Sequence, residues 1–207
     1  MKVLLINGSP HTHGCTFTAL REVEKILNQE GISTEIVQIG TEQISGCIGC
    51  GSCLKTGKCI FDTDPVNELR EKLETVDGLV VGSPVYYANP NGSLLCLLAR
   101  LFYGSGNRYK GKLGAAVVSA RRGGCASSFD AINKFFMMNN IHVVSSQYWN
   151  QVHGSSPEDV RKDLEGMQTM RTLAANMAWL LKCIELGREN GLPVPDSEKT
   201  IRTNFIR

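Results

Sequence analysis

The sequence predicts an α/β domain built on a parallel sheet with helices on both faces. Short stretches rich in branched apolar residues recur at Val3–Ile6, Ser33–Ile39, Gly78–Gly82, Leu113–Ser119 and within Ile141–Val152. Stretches of that length, bounded by turn residues, read as strands, and the fully apolar ones as strands buried on both faces. Between them, apolar residues repeat at helical spacing. The alternation of strand and helix holds along the chain, and right-handed crossovers then make the strands parallel. Sheets of this kind bind ligands at the C-terminal ends of their strands, near the point where strand order reverses.

The first strand begins at Val3 and stops at Asn7-Gly8. A loop follows, Gly8-Ser9-Pro10-His11-Thr12-His13-Gly14-Cys15-Thr16, and then a helix with Thr16, Leu20, Val23 and Leu27 on one face. A strand, a small-residue loop and a helix N-terminus make an anion site: the helix end offers unpaired N–H groups and partial positive charge, and Ser9, Thr12 and Thr16 add hydroxyls. No lysine is present for a Walker loop, and five residues between Gly8 and Gly14 exclude G-x-G-x-x-G. A terminal monophosphate fits, since hydroxyls and N–H groups can enclose it without lysine or metal. The plain alternative is an ordinary tight turn.

Ser33–Ile39 is the second strand. Asp64-Pro65 starts a helix with Pro at its first position and Val66, Leu69, Leu73 and Val76 on one face. Gly78–Gly82 is the third strand, and a helix runs from about Asn91 to Phe102. Leu113–Ser119 is the fourth strand. Ser127 or Ser128 can cap a helix carrying Phe129, Ile132, Phe135 and Phe136. Ile141–Val152 holds the fifth strand. A long last helix opens near Ser156-Pro157, with Val160, Leu164, Met167, Leu173, Met177, Leu180 and Ile184 as its buried stripe. One domain over residues 1–186 is expected, followed by an extended tail at 187–207 that contains Gly191, Pro193 and Pro195.

Two further loops stand at C-terminal strand ends. Ser83-Pro84-Val85-Tyr86-Tyr87-Ala88-Asn89-Pro90-Asn91-Gly92 carries adjacent tyrosines that suit the wall of a flat ligand, with backbone N–H groups for its polar edge. The alternative is that the tyrosines only cover the sheet edge. In Ser119-Ala120-Arg121-Arg122-Gly123-Gly124-Cys125, Gly-Gly allows close backbone approach and the arginines can neutralise a phosphate or a reduced flavin. The alternative there is a solvated basic loop.

GSPHTHGCT, SPVYYANPNGSLLCLLAR and SARRGGCASSFDAINKFF, in this order and spacing, resemble the NAD(P)H-dependent FMN reductase branch of the flavodoxin-like family, and DLEGMQTMRTLAANMAWLLK is similar to that branch's last helix. The resemblance implies a flavodoxin-like three-layer sandwich with a five-stranded parallel sheet of order 2-1-3-4-5, and an FMN held by the three loops. By position, Ser9, His11, Gly14, Cys15 and Thr16 surround the phosphate. Members often carry Arg and Asn at the places of His11 and Cys15, so there the backbone contacts are what carries over. Pro84, Val85, Tyr86 and Tyr87 line the isoalloxazine, with Asn89 in the same loop, and Arg121, Gly123 and Gly124 close its far side.

Between the second strand and second helix, residues 45–60 carry Cys47, Cys50, Cys53 and Cys59 in the spacing C-x2-C-x2-C-x5-C, with Gly46, Gly49, Gly51 and Gly57 among them. Three thiolates two residues apart, with glycines between, can wrap a compact cluster, and the first three resemble a ferredoxin run. Cys59 then completes one [4Fe–4S] cluster, expected close to the FMN, within one chain or across a subunit interface, because the segment leaves the C-terminal end of the second strand. Zinc is the competing metal, although structural zinc sites usually pair two knuckles across a longer gap. Thiols that only pack or oxidise are the third reading. Within the flavodoxin-like family the insertion is similar to that of the iron–sulfur flavoproteins. Cys96 and Cys183 read as helix packing residues, Cys15 and Cys125 need no nucleophilic role, and His11, His13, His142 and His153 show no ligand spacing among themselves.

The 207 residues carry 22 Lys and Arg against 20 Asp and Glu, a net charge of +2 that is no nucleic-acid footprint. No apolar run has the length of a membrane span, and no secretory signal is expected, since the first residues read as a strand. A cytoplasmic protein is expected, in which eight cysteines serve as thiols, ligands or redox groups rather than structural disulfides. The leading functional reading is an FMN-dependent redox flavoprotein with a [4Fe–4S] cluster, taking electrons from ferredoxin or NAD(P)H and passing them to small acceptors. No catalytic base is assigned, because flavin chemistry belongs to the cofactor. The alternatives are a cluster-free NAD(P)H:FMN or quinone reductase and, from another class, a zinc-binding partner module. A homodimer or homotetramer is expected.

Overall fold

The computed structural model describes residues 1–39, 42–198, 201 and 203. The remainder of the 187–207 tail lies outside the described residues. In chain order the elements are β1 (Lys2–Asn7), α1 (Cys15–Gln29), β2 (Ser33–Gln38), α2 (Ser52–Thr56), α3 (Val66–Glu74), β3 (Gly78–Tyr86), β4 (Asn89–Pro90), α4 (Gly92–Phe102), β5 (Leu113–Ala120), α5 (Cys125–Met138), β6 (His142–Val143), β7 (Gln151–His153), α6 (Pro157–Lys162) and α7 (Leu164–Glu189). None of the described helices is long and apolar enough to cross a membrane.

The sheet runs β2-β1-β3-β5-β6 with all these neighbours parallel, and β7 also pairs in parallel with β5. This is the flavodoxin-like order 2-1-3-4-5, once the small hairpin strand β4 is set aside. Side chains alternate across a strand with period two, so each central strand feeds two cores. Leu4, Ile6, Leu79, Val81, Ala116 and Val118 pack with α3, α4 and α5. Val3, Leu5, Val80, Ala115 and Val117 pack with α1 and α7. Three layers result, and the near-continuous apolar strands are explained by burial on both faces.

Four local differences from the sequence reading have identifiable causes. β3 runs on to Tyr86, because Val85 and Tyr86 pair with Pro90 and Asn89 in an antiparallel hairpin. Its two turn residues, Tyr87 and Ala88, have φ of 51° and 59°. That left-handed pair belongs to a turn usually made by Asn-Gly, so nothing local announces it. The fifth strand is two short pieces. Between them the Ser146 hydroxyl bonds the Tyr148 carbonyl at 2.6 Å and Asn150 Oδ1 at 2.7 Å, and local side-chain bonds of this kind compete with the ladder. α5 begins at Cys125 directly after Gly124, and neither Ser127 nor Ser128 caps it; the Ser127 hydroxyl donates instead to the Ala88 carbonyl. The last helix is broken at Asp163. Ser156 caps α6 as expected, and the Asp163 carboxylate then accepts from the N–H of Gly166 at 2.9 Å and of His153 at 2.7 Å, starting α7.

Gly8 shows how closely β1 and β3 approach at the C-terminal edge of the sheet. Its N–H donates to the Gly82 carbonyl at 2.8 Å, and a Cβ at Gly8 would lie 2.8 Å from that oxygen and 2.6 Å from Leu94 Cδ2. Gly8→Ala is therefore expected to destabilise the protein by about 1–3 kcal/mol through overpacking, read as a lower urea midpoint with unchanged slope.

Candidate functional site

Because β1, β3 and β5 are parallel neighbours, their C-terminal ends bring the three loops to one edge of the sheet. At the first loop, Gly14 precedes α1 and supplies no side-chain cap. The first helical bond runs from Thr18 N–H to the Gly14 carbonyl at 3.0 Å, so the N–H groups of Cys15, Thr16 and Phe17 come before any i→i−4 partner. Ser9 and Thr16 are buried. The Ser9 hydroxyl accepts from the His11 N–H at 3.1 Å, and the Thr16 and Ser119 hydroxyls bond each other at 2.8 Å. That second contact ties the start of α1 to the end of β5. The Asn7 carboxamide bonds that of Gln38 and the Ser9 N–H, at 3.2 Å for the latter, which braces the loop against the end of β2. His11 is exposed and Gly14 and Cys15 are half-buried. The Cys15 thiol lies 3.7 Å from the Gly154 carbonyl, and burial pushes its pKa up, as burial does for Cys125.

The second and third loops touch. Gly124 has φ of +92°, and a Cβ there would lie 2.8 Å from both Ala88 Cα and Val85 Cγ1. With the Ser127 bond to the Ala88 carbonyl, this contact holds the tyrosine hairpin against the start of α5. The Ser83 hydroxyl accepts from the Asn91 N–H at 2.9 Å, and Asn91 caps α4. Pro84 and Val85 are half-buried, while Tyr86, Tyr87, Asn89, Arg121 and Gly123 are exposed along the rim. Tyr87 is fully exposed, with no protein surface over its ring. The arrangement is a basic, aromatic rim around a set of open backbone donors. It suits a flat aromatic group with a phosphate at one end, and so fits FMN.

The cysteine segment leaves the same sheet edge after β2, then packs along α4. Cys47, Cys50, Cys53 and Cys59 line one cavity, together with Ile48, Phe61, Arg100 and Tyr103. Cys53 Sγ lies 3.4 Å from the Tyr103 carbonyl, so the cavity sits at the C-terminal end of α4. That end is separated from the three-loop edge by most of an 11-residue helix, about 16 Å. A five-residue helix, α2, forms inside the segment with Gly51 before it and Gly57 after it. Asn67 holds Cys59 by its backbone, accepting from its N–H at 2.8 Å and donating to its carbonyl at 3.0 Å.

Two buried arginines stand behind these thiols, and the sequence reading passed over both. Arg100 donates Nε–H to Cys59 Sγ at 3.2 Å and pairs with Asp64, whose Oδ1 accepts at 3.1 Å. The Arg100 and Asp64 side chains are 1% and 5% exposed. Arg70 is 2% exposed and donates through one nitrogen to the carbonyls of Arg100, Leu101 and Tyr103 at 3.0–3.1 Å, while its other two nitrogens have no partner among the described residues. The signal available was an arginine inside the apolar run Leu94–Phe102.

Among the described residues no three His, Cys, Asp or Glu side chains are gathered tightly enough for one metal ion. A single zinc would draw four sulfurs to within about 3.8 Å of one another. The four thiols line one cavity, and one of them, Cys59, accepts from a buried guanidinium; thiols and a cationic donor are the chemistry an iron–sulfur cluster would need.

Residues 1–155 match the family described as NADPH-dependent FMN reductase. An iron-sulfur flavoprotein of Methanocaldococcus jannaschii is 33% identical over 193 residues, spanning 89% of this chain and 100% of that protein. An iron-sulfur flavoprotein of Methanosarcina thermophila is 28% identical over 193 residues, spanning 91% and 100%. Among solved structures, RosB with a bound 8-demethyl-8-formylriboflavin-5′-phosphate intermediate superposes with a TM-score of 0.69 at 16% identity, covering 100% of this chain and 92% of that one. An archaeal flavodoxin gives a TM-score of 0.59 at 12% identity over 88% and 99%. At these identities the structures speak to the fold.

Proposed function

The chain belongs to the NADPH-dependent FMN reductase family and is an FMN-dependent flavoprotein of that family; on that premise we propose that it is an electron-transferring oxidoreductase in which FMN occupies the three-loop edge and Cys47, Cys50, Cys53 and Cys59 hold a [4Fe–4S] cluster. The observation that carries the cluster is the cavity shared by the four cysteines, with a buried guanidinium bonded to one of its sulfurs. The names of the similar proteins from Methanocaldococcus jannaschii and Methanosarcina thermophila support the same reading.

Each residue has a defined task. The N–H groups at the start of α1, with the backbone of His11, Gly14 and Cys15 and the hydroxyls of Ser9 and Thr16, bind the phosphate. Pro84, Val85, Tyr86, Tyr87 and Asn89 wall the isoalloxazine on one side, and Arg121, Gly123 and Gly124 on the other. The arginine favours the reduced, anionic flavin. Bound FMN supplies two-electron and one-electron chemistry, and the cluster supplies single-electron steps. Ferredoxin or NAD(P)H is the proposed donor, and small molecules such as quinones or oxygen are the acceptors.

One absorption spectrum of anaerobically purified protein tests the assignment. Flavin bands with a broad brown shoulder are expected. Flavin bands alone would leave a cluster-free reductase, and colourless protein containing zinc would overturn the whole reading.

A homodimer or larger homo-oligomer is proposed as the working form. Tyr87, Met138, Tyr148, Trp149 and Trp179 are all at least half exposed, a larger set of bare aromatic and sulfur-bearing side chains than a monomer's surface needs. Assembly would also offer a route between the flavin edge of one chain and the cysteine cavity of another, since within one chain the length of α4 lies between them. Sedimentation at micromolar concentration should give at least twice the 22.7 kDa chain mass. A single 22.7 kDa species would remove the assembly.

A further inference from the structure

We infer that Arg100 is a positioning residue for the Cys59 thiolate: it fixes the sulfur in the cavity and, by donating a charge-assisted hydrogen bond to it, makes the cysteine-held group easier to reduce. This rests on the reading that the four cysteines hold an iron–sulfur cluster.

The guanidinium uses its whole fork. Nε–H donates to Cys59 Sγ at 3.2 Å. One terminal nitrogen donates to the Ser45 carbonyl at 3.3 Å and to Asp64. The other donates to the Phe61 carbonyl at 3.1 Å and to Asp64 Oδ1 at 3.1 Å. Ser45 precedes the first ligand and Phe61 follows the last, so one side chain grips the segment at both ends. The Phe61 ring packs against the same guanidinium, 5.0 Å from its centre. Asp64 sits on the side of the guanidinium away from Nε and holds it with Nε–H aimed at the sulfur.

The electrostatics point the same way. A hydrogen bond to a thiolate from an ionised donor is stronger than a neutral one, and in a buried setting it gains further. Adding one electron adds one negative charge to the thiolate-bound group, and donors to its sulfurs stabilise the more negative state, which raises the reduction potential. Arg70 adds to this background. It is a buried cation with no carboxylate partner among the described residues; its one bonded nitrogen faces the negative end of α4, and the Tyr103 carbonyl it touches is also in contact with Cys53.

A purely structural clamp would fix the segment without moving a potential, which separates the two roles. The test uses the full chain with FMN, reconstituted anaerobically with iron and sulfide, as wild type, as Arg100→Lys and as the double variant Arg100→Gln/Asp64→Asn. The double variant removes the pair together and leaves no buried charge stranded. Iron content, FMN content and circular dichroism are measured, and the cluster is titrated with electron paramagnetic resonance as readout. With iron and FMN retained, the double variant is expected to shift the oxidised-to-reduced ratio at a fixed potential at least tenfold toward the oxidised form, equivalent to 59 mV for one electron. Arg100→Lys keeps the charge and loses the directed Nε–H, so a smaller shift of the same sign is expected. Iron lost from the double variant and regained in Arg100→Lys also supports the positioning role. An unmoved midpoint with full iron overturns the inference and leaves the cluster standing. Iron lost from both variants, with FMN and circular dichroism unchanged, reduces Arg100 to a structural clamp and overturns it too. Wild type that takes up no iron removes the cluster reading, and the inference with it.

Discussion

Asp64→Ala is expected to cost the folded protein about 3–5 kcal/mol, which is a large part of the stability of a domain this size. The reason is what the substitution leaves behind. Arg100 is embedded in the apolar face of α4 beside Leu97, Leu98 and Leu101, and Asp64 is its only carboxylate partner among the described residues. Without it a buried guanidinium keeps carbonyl and sulfur acceptors but no counter-charge. Urea unfolding of the cluster-free protein reads the cost directly, and a change below 1 kcal/mol would show that the pair is solvated. The double variant Arg100→Gln/Asp64→Asn is expected to lose much less, because neither partner is stranded.

Replacing Ser9 and Thr16 together by alanine is expected to weaken FMN binding by about 1–3 kcal/mol, roughly five- to 150-fold. Both hydroxyls are buried at the start of α1, where the helix has no side-chain cap and its leading N–H groups need an acceptor. Thr16 also bonds Ser119, so part of the effect could fall on the fold. The melting temperature of the apoprotein separates the two contributions. A titration of apoprotein with FMN showing unchanged affinity would end the assignment of these hydroxyls.

The fold was largely legible because it is written in local periodicity. Alternation along Val3–Ile6 divides the two cores, and Leu20, Val23 and Leu27 recur at helical spacing. Both patterns are set by where water is excluded, which composition reveals. That the three loops meet at one edge was legible for a related reason: each follows a strand of one parallel sheet, and chain order places their ends together. The Tyr87–Ala88 turn was not legible, since its residue types do not favour positive φ and its partners, Gly124 and Ser127 at the start of α5, lie far along the chain. Arg100 was not either. Its partners Asp64 and Cys59 lie 36 and 41 residues away, and only the folded packing of α4 against the cysteine segment brings them together. The spacing of the four cysteines implied one shared site. The segment's start after β2 led to the expectation of a cluster close to the FMN, whereas within one chain the cavity sits at the far end of α4 from the three-loop edge.

The four cysteines are proposed to hold an iron–sulfur cluster in a protein that binds FMN independently of it. The most direct measurement is iron, acid-labile sulfide and FMN per chain after anaerobic reconstitution, on wild type and on Cys50→Ser. About four irons and four sulfides per wild-type chain are expected, lost in Cys50→Ser while FMN remains. Wild-type protein that takes up zinc but no iron, with FMN bound normally, would contradict it.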